Sequence, residues 1–151
     1  MRSQVKIYVA SSWQHPRHEE VIKTLRGNGY CVYDYRENNA AFSWESIDPH
    51  YEEWTPEEYL LTLGCLDVSE AFWKDMRALH DADVVIGLDP IGVSSALELG
   101  WAAGYGKQVI LLVEKFRKPE LMVKSIPHRV SSMDNLLMTL KLLFSMEKKN
   151  D

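Results

Sequence analysis

Several features that mark common functional classes are scarce or missing in this 151-residue sequence. Its two cysteines, Cys31 and Cys65, have neither metal-ligand spacing nor the number that a disulfide framework needs, so we interpret both as reduced thiols. The five histidines show no HxxxH spacing, and no metal site is predicted. Neither GxGxxG nor GxxxxGK[ST] follows the first apolar run. This argues against dinucleotide-dependent dehydrogenases and P-loop kinases, and no cofactor is expected.

Basic residues and long apolar runs are also too few for two further classes of protein. The net charge is -5, whereas a protein that grips a nucleic-acid polymer usually carries a basic face; a small nucleotide remains compatible. No apolar run approaches the roughly 20 residues that span a bilayer. The opening "MRSQVKIYVASSW" lacks the apolar region and cleavage site of a secretory signal. We therefore predict a cytoplasmic protein without a membrane or nucleic-acid partner.

What the sequence does contain is an alternation of apolar runs and amphipathic segments. The runs "QVKIYVA", "YCVYDY", "DVVIGL" and "QVILLV", with a weaker one around residues 128–130, are continuously apolar or rich in β-branched residues, as in buried parallel strands. Helices are predicted between them, including 69–82, 95–105 and 133–146. With 46% hydrophobic residues, the chain is predicted to be one domain, 1–151. We predict a flavodoxin-like or Rossmann-like doubly wound fold: a five-stranded parallel sheet with helices on both faces.

Between residues 36 and 56 the sequence reads "RENNAAFSWESIDPHYEEWTP", which we interpret as a long, aromatic and irregular segment. Loops of this length within compact domains are more often functional than not. At the end of this segment, Thr55 is predicted to cap a helix that has Pro56 in its first position.

The predicted sheet brings potentially reactive side chains to one edge. Ligands of such folds bind beyond the carboxyl ends of the strands, near the point where strand order reverses. The loops after Ala10, Tyr35 and Leu88 are expected there, and the loop "ASSWQHPRHEE" offers hydroxyls and an arginine to a sugar or a phosphate. The acidic and phenolic candidates near this edge are Tyr8, Asp89 and Glu98, and Asp75 lies one helix earlier.

Each of these candidates also has an ordinary structural interpretation. Ser95 and Glu98 match a capping box, in which the serine caps a helix and the glutamate bonds back to it. Tyr8 fits a core aromatic, Asp75 fits a solvated helix face, and Asp89 before a proline fits a turn. The residues by themselves leave both interpretations open.

Several motifs together resemble the nucleoside 2-deoxyribosyltransferase family, including its relatives that hydrolyse deoxynucleoside monophosphates. The resemblance covers residues 6 to 113 and begins with "KIYVASSW". It continues with "PEEYL", "FWKDM" and the interval between Asp75 and Asp83. Its most specific part is "SSALELGWAAGYGKQVILLV", which is similar to the family's "ELG" nucleophile motif and the "GK" turn into the fourth strand.

The resemblance implies roles for particular residues. Glu98 is implied as the nucleophile that attacks the anomeric carbon, Tyr8 as the residue that orients it, and Asp75 as the group that handles the proton of the leaving base. Retaining glycosidases use the same covalent glycosyl-enzyme chemistry. The implied substrate-binding residues are Ser11, Ser12, Trp13, Phe42, Trp44, Asp89, Gly92, Ser94 and Ser95. Gly92 stands where many of the transferases have a second aspartate, so that either Asp89 takes over this role from a longer turn or the base preference is changed.

Three functions are compatible with these features. The first is N-glycosidic bond chemistry on a nucleoside or nucleoside 5′-monophosphate, by base transfer or hydrolysis, with an acceptor base as a second substrate in the case of transfer. The second is a non-catalytic nucleotide-binding or sensor domain of the same fold. The third is a glycohydrolase acting on a larger nucleotide such as NAD. The resemblance also implies a homo-oligomer.

Overall fold

A computed structural model describes residues 4–145 as a five-stranded parallel sheet with helices on both faces. The strands are β1 (Lys6–Ala10), β2 (Cys31–Tyr33), β3 (Val84–Leu88), β4 (Gln108–Leu112) and β5 (His128–Val130). The helices are α1 (His18–Gly27), α2 (Tyr35–Asn38), α3 (Trp44–Ile47), α4 (Pro56–Thr62), α5 (Leu66–Asp81), α6 (Val93–Gly104) and α7 (Met133–Ser145). Two 3₁₀ turns, Tyr51–Glu53 and Leu121–Ser125, complete the list.

The strand order is β2-β1-β3-β4-β5, and all neighbouring pairs are parallel. This is the flavodoxin-like order, in which the chain reverses direction across the sheet between β1 and β3. The prediction of a doubly wound five-stranded sheet is confirmed. The carboxyl ends of β1 and β3 therefore lie side by side, and the loops that follow them share one edge of the sheet.

Two apolar layers enclose the sheet. Side chains of α1 and α7 pack on one face. They contact residues of the three inner strands, β1, β3 and β4, and of the edge strand β2. Side chains of α5 and α6 pack on the other face, which also carries Tyr8 and Ala10 of β1. Every residue of β3 is buried. The continuously apolar runs in the sequence thus correspond to strands covered on both faces.

Gly87 sets how closely α6 approaches the sheet. A Cβ atom at this position would lie 2.5 Å from Cδ1 of Leu99 and 3.1 Å from Cδ1 of Leu111. A Cβ atom would therefore force the ends of the Leu99 and Leu111 side chains to shift, and glycine lets Leu99 pack directly on β3 without that shift. Glu98 is the neighbour of Leu99 in the chain.

Several local predictions are confirmed and others are wrong. Thr55 caps α4 with Pro56 in the first turn, as predicted. The second strand is shorter than predicted, because Asp34 leaves the sheet and caps α2 by accepting from the Arg36 amide. The segment 36–56 is not irregular throughout, since it contains part of α2, all of α3 and a 3₁₀ turn.

The predicted helix 69–82 begins earlier, at Leu66, and ends at Asp81. The last predicted helix is present as α7 up to Ser145, and its predicted final residue, Met146, lies outside the described residues. Within residues 4–145, none of the helices combines the length and the apolarity that crossing a bilayer requires.

Candidate active site

Glu98 lies in the second turn of α6 and does not belong to a capping box. The helix begins after Gly92, which is its N-cap residue and makes no side-chain capping bond. Ser95 is inside the helix and buried. The capping-box interpretation of Ser95 and Glu98 is therefore wrong, because the helix starts three residues earlier than that pattern requires.

The Glu98 carboxylate is held in a partly apolar environment with one oxygen unsatisfied. Its Oε2 atom is buried and has no hydrogen-bond partner among residues 4–145. Burial raises the pKa of Glu98 to about 7, and the negative charge of Asp75 adds to the rise. A hydrogen-bonding influence of the Tyr8 hydroxyl opposes it, although the two side chains do not reach regular hydrogen-bond geometry. A buried acceptor without a donor is costly, so this oxygen is a candidate contact for a ligand.

Tyr8 is both a core aromatic and a neighbour of the acidic groups, so its two interpretations are compatible. It is almost completely buried on the sheet face covered by α5 and α6. Tyr33 pairs with it in the strand register, and their rings stack with centroids 5.5 Å apart. Burial, followed by the charges of Glu98 and Asp75, raises the pKa of Tyr8, so its hydroxyl keeps its proton and can donate it in a hydrogen bond.

Asp75 projects from α5 into the same polar cluster. Its Oδ1 accepts hydrogen bonds from the Tyr33 hydroxyl and from Nδ2 of Asn39, each at 2.8 Å. Burial raises the pKa of Asp75 in spite of these two donors, which favour the ionised form. The interpretation of Asp75 as a solvated carboxylate on a helix face is thus wrong. We name the group formed by Tyr8, Tyr33, Asn39, Asp75 and Glu98 the carboxylate cluster.

The loop after β1 is fixed by a second polar group that sequence reasoning missed. The Ser11 hydroxyl hydrogen-bonds to Nδ1 of His18, whose Nε2 is 2.8 Å from Oδ1 of Asp34. All three residues are buried, and burial lowers the pKa of His18. The Tyr35 hydroxyl also donates to the Ser11 carbonyl at 2.6 Å. We name Ser11, His18 and Asp34 the serine–histidine chain.

The other predicted residues of this loop are more accessible than Ser11. The Ser12 carbonyl accepts from Nη2 of Arg36 at 3.1 Å, whereas Nε of Arg36 is buried without a partner among residues 4–145. Trp13 is 50% exposed and contacts the edge of the Tyr35 ring, with centroids 5.1 Å apart. The indole of Trp13 is therefore available to a ligand.

The loop between β3 and α6 joins the same edge of the sheet. The Asp89 carbonyl is 2.9 Å from Nε2 of His15, which ties this loop to the one after β1. Gly92 and Ser94 are exposed at the start of α6, and Ser95 faces inward. The structure brings Asp89, Gly92 and Ser94 to the predicted edge, and their contact with a substrate stays a prediction.

Phe42 and Trp44 belong to an aromatic group within the segment 36–56. Their ring centroids are 5.2 Å apart, and Trp44 also contacts Trp54 at 6.0 Å. The indole N–H of Trp54 donates to Asp48 at 2.7 Å. The chain links this group to the carboxylate cluster, because the Phe42 amide donates to the carbonyl of Asn39. That Phe42 and Trp44 stack on a base stays a prediction.

Among residues 4–145, no group of three or more histidine, cysteine, aspartate or glutamate side chains is arranged to hold a metal ion. A depression of about 410 Å³ lies elsewhere, lined by residues such as Val113, Arg129 and Leu142 near α7. Its lining includes no ionisable group beyond Arg129, so the chemistry available at the β1–β3 edge has no counterpart there.

Solved structures share the fold of this chain. A 2-deoxyribosyltransferase from Bacillus psychrosaccharolyticus superposes with a TM-score of 0.63 at 22% identity, over 87% of this chain and 90% of that chain. The chain has the fold of the nucleoside 2-deoxyribosyltransferases. This confirms, for the fold, the resemblance found in the sequence.

Two further structures show the same fold. A conserved protein from Enterococcus faecalis V583 gives a TM-score of 0.60 at 18% identity, over 94% of this chain and 100% of that chain. The CMP N-glycosidase of Clostridium botulinum gives 0.50 at 17% identity, over 90% and 98% of the two chains. No protein-family model matches the sequence, and the comparison with curated proteins finds no match either.

Proposed function

We propose that this protein breaks the N-glycosidic bond of a nucleoside or a nucleoside 5′-monophosphate, with Glu98 as the nucleophile. The observation that carries the proposal is the buried, unpartnered Oε2 of Glu98 beside Tyr8 and Asp75, at the edge where β1 and β3 end. The similar structures that are described as a 2-deoxyribosyltransferase and a CMP N-glycosidase support the same chemistry.

In the proposed first step, an oxygen of Glu98 forms a bond to the anomeric carbon while the bond from that carbon to the base breaks. The electron pair of the broken bond goes to the base nitrogen, and Asp75 supplies its proton. The transition state resembles an oxocarbenium ion, which the nearby negative charge stabilises. In the second step a base or a water attacks the same carbon and releases Glu98.

The neighbouring groups have supporting roles in this proposal. Tyr8 donates toward the carboxylate and orients it. Trp13, Phe42 and Trp44 flank the base, and the accessible polar groups of the two loops bind the sugar or a phosphate: Ser12, Asp89, Gly92 and Ser94. Ser11 and Ser95, which the sequence also predicted to bind substrate, are buried, and the Ser11 hydroxyl is bonded to His18. Because Glu98 must be ionised and Asp75 must hold a proton, activity should rise as the pH approaches about 7, the pKa of Glu98, and fall again at higher pH as Asp75 loses its proton.

The test is to incubate the protein with deoxynucleosides and their 5′-monophosphates, with and without an acceptor base, and to separate the products by chromatography. We expect release or exchange of base, and a loss of at least about 10³-fold in Glu98→Ala. Glu70→Ala is the matched control, since Glu70 is an exposed glutamate on α5.

Two further measurements, on NAD and on thermal stability, have outcomes that would contradict the proposal in favour of another function. Release of nicotinamide from NAD, without base release from nucleosides, would indicate a glycohydrolase acting on larger nucleotides. Thermal stabilisation by nucleotides without any product, identical in wild type and Glu98→Ala, would indicate a binding domain. A homo-oligomer and a cytoplasmic location stay predictions from the sequence.

A further inference from the structure

The two oxygens of the Asp75 carboxylate have different surroundings. Oδ1 accepts two hydrogen bonds, from the Tyr33 hydroxyl and from Nδ2 of Asn39, both at 2.8 Å. Within residues 4–145 no donor reaches Oδ2, and that atom is not sealed from solvent either, since the buried unpartnered atoms are those of Arg36 and Glu98. One oxygen of Asp75 is therefore committed to the protein and the other is open.

Both donors are themselves held in place. The Tyr33 ring stacks on Tyr8 at an interplanar angle of 11°, so its hydroxyl has little freedom to turn away. Asn39 is buried, and its Nδ2 also donates to the Ala71 carbonyl at 3.1 Å, one turn of α5 before Asp75. The position of the carboxylate thus depends on contacts from three separate parts of the chain: β2, the end of α2 and α5 itself.

Two donors on one carboxylate oxygen decide where the proton of the neutral acid is located. An oxygen that accepts two hydrogen bonds has no lone pair left for a proton, so the proton must be on the other oxygen. We propose that Tyr33 and Asn39 are positioning residues that confine proton exchange between Asp75 and the substrate to Oδ2. This inference rests on the proposed function above.

The two donors also assist the transfer itself. As the bond between sugar and base breaks, Oδ2 gives its proton to the base nitrogen that receives the electron pair, and Asp75 becomes a carboxylate. Tyr33 and Asn39 then stabilise the new charge through Oδ1. In the second step the attacking base or water returns a proton to Oδ2 as the bond to Glu98 breaks.

The surrounding charges are consistent with one proton shared between two carboxyl groups. Asp75 faces Tyr33 and Asn39, with Lys74 as the nearby cation, and its charge raises the pKa values of Glu98 and Tyr8. Such a pair titrates as a unit. The reactive form is the one that has Glu98 ionised and the proton on Oδ2 of Asp75.

The first experiment compares two substrates that differ in their need for a proton. 2′-Deoxyguanosine leaves as a base that must be protonated, whereas the base of 7-methyl-2′-deoxyguanosine already carries a positive charge. We expect Tyr33→Phe and Asn39→Ala to lower the rate on the first substrate about tenfold or more, and to change the rate on the second by less than about twofold.

The matched control is Tyr30→Phe, since Tyr30 is a half-buried tyrosine just before the same strand and contributes nothing to the carboxylate cluster. It should leave both rates unchanged. Equal losses on both substrates in Tyr33→Phe and Asn39→Ala would overturn the inference, because a merely structural role lowers all activity alike. Base release by wild type that Glu98→Ala abolishes would leave the proposed function standing in that case.

A second experiment does not depend on turnover. The Asp75 carboxyl is titrated by carbon NMR in wild type, Tyr33→Phe, Asn39→Ala and Tyr30→Phe. Because each lost donor stabilises the ionised form, the pKa of Asp75 should rise by about half a unit or more in the first two variants and stay unchanged in the control. An unchanged pKa in both variants would overturn the inference, even in a protein that releases no base.

Discussion

The carboxylate cluster and the serine–histidine chain lie at the same edge of the sheet and differ in how fully their polar atoms are satisfied. In the serine–histidine chain, each side chain has a hydrogen-bond partner: Ser11 bonds to His18, and His18 bonds to Asp34. In the cluster, Oε2 of Glu98 is buried without one. A satisfied buried network rigidifies a fold, whereas an unsatisfied atom costs stability and persists where a ligand uses it.

The comparison also explains why a serine, a histidine and an aspartate in hydrogen-bond contact need not form a hydrolytic triad. Asp34 caps α2 through the Arg36 amide in addition to bonding His18, and the Ser11 carbonyl accepts from Tyr35. These bonds join the loop after β1 to β2 and α2. We interpret the serine–histidine chain as a structural group that holds the loop after β1 in place beside the candidate site.

The largest effect on stability is expected from breaking the serine–histidine chain. Asp34→Ala leaves the buried Nε2 of His18 without its partner and removes the cap of α2. We expect the free energy of unfolding to fall by about 3 kcal/mol, as the sum of an unsatisfied buried group and a lost cap. Chemical denaturation measures it. Asp81→Ala, an exposed aspartate at the end of α5, is the control; a similar small change in both variants would show that the chain is not structural.

The carboxylate cluster, in contrast, is expected to lower the free energy of unfolding when Glu98 is ionised. The folded-state pKa of Glu98, about 7, is above its ordinary value of 4.5. The proton that Glu98 holds therefore stabilises the folded state below about pH 4.5, and this contribution is lost as the pH rises through 7. Relative to Glu98→Gln, which does not titrate, wild type should lose about 2 kcal/mol between these values, allowing for the partial exposure of the side chain.

Denaturation of wild type and Glu98→Gln at pH 4.5, 6 and 8 checks this difference. Glu70→Gln, on the exposed side of α5, should follow wild type at every pH. A constant difference between wild type and Glu98→Gln across the range would mean that the Glu98 carboxyl is not destabilised by burial, and the contrast between the two groups would disappear.

The smallest effect concerns Trp13, in the loop that the serine–histidine chain holds. Trp13 follows the serine–histidine chain in the loop after β1, and its exposed indole is predicted to stack on the base. Trp13→Ala should raise KM by about three- to fivefold, with little change in kcat, since stacking on an exposed ring contributes about 1 kcal/mol. Trp73→Ala is the control, because Trp73 is 56% exposed, close to the 50% of Trp13. Equal KM changes would exclude a role for Trp13 in binding.

The sequence predicted most of the fold because strands buried on both faces are continuously apolar. Every predicted strand occurs, and the predicted cap at Thr55 is present. The errors are local. The pattern of Ser95 and Glu98 satisfies a capping box, but a pattern cannot tell that α6 begins at Val93, after Gly92. The segment 36–56 appeared irregular because helices as short as Trp44–Ile47 show no apolar periodicity.

The candidate site was predicted only in part. Tyr8, Asp75 and Glu98 follow from the resemblance to a family, and the structure brings them into one cluster. Tyr33, Asn39, His18 and Asp34 were missed, because their roles arise from contacts between residues far apart in the chain. Tyr33 is 42 residues from Asp75, and Asn39 is 36 residues from it. The one available signal was that Tyr33, in a predicted strand, would face the same side of the sheet as Tyr8.

By itself, the sequence determined the parallel sheet, the helices that cover it and the edge at which reactive groups collect. These properties follow from apolar periodicity and chain order, which are local. Only the tertiary structure decided that Glu98 is buried with an unpartnered oxygen and that Asp75 is fixed through one of its two oxygens. Desolvation and hydrogen-bond direction depend on what several distant segments place around an atom, and no single stretch of sequence contains that information.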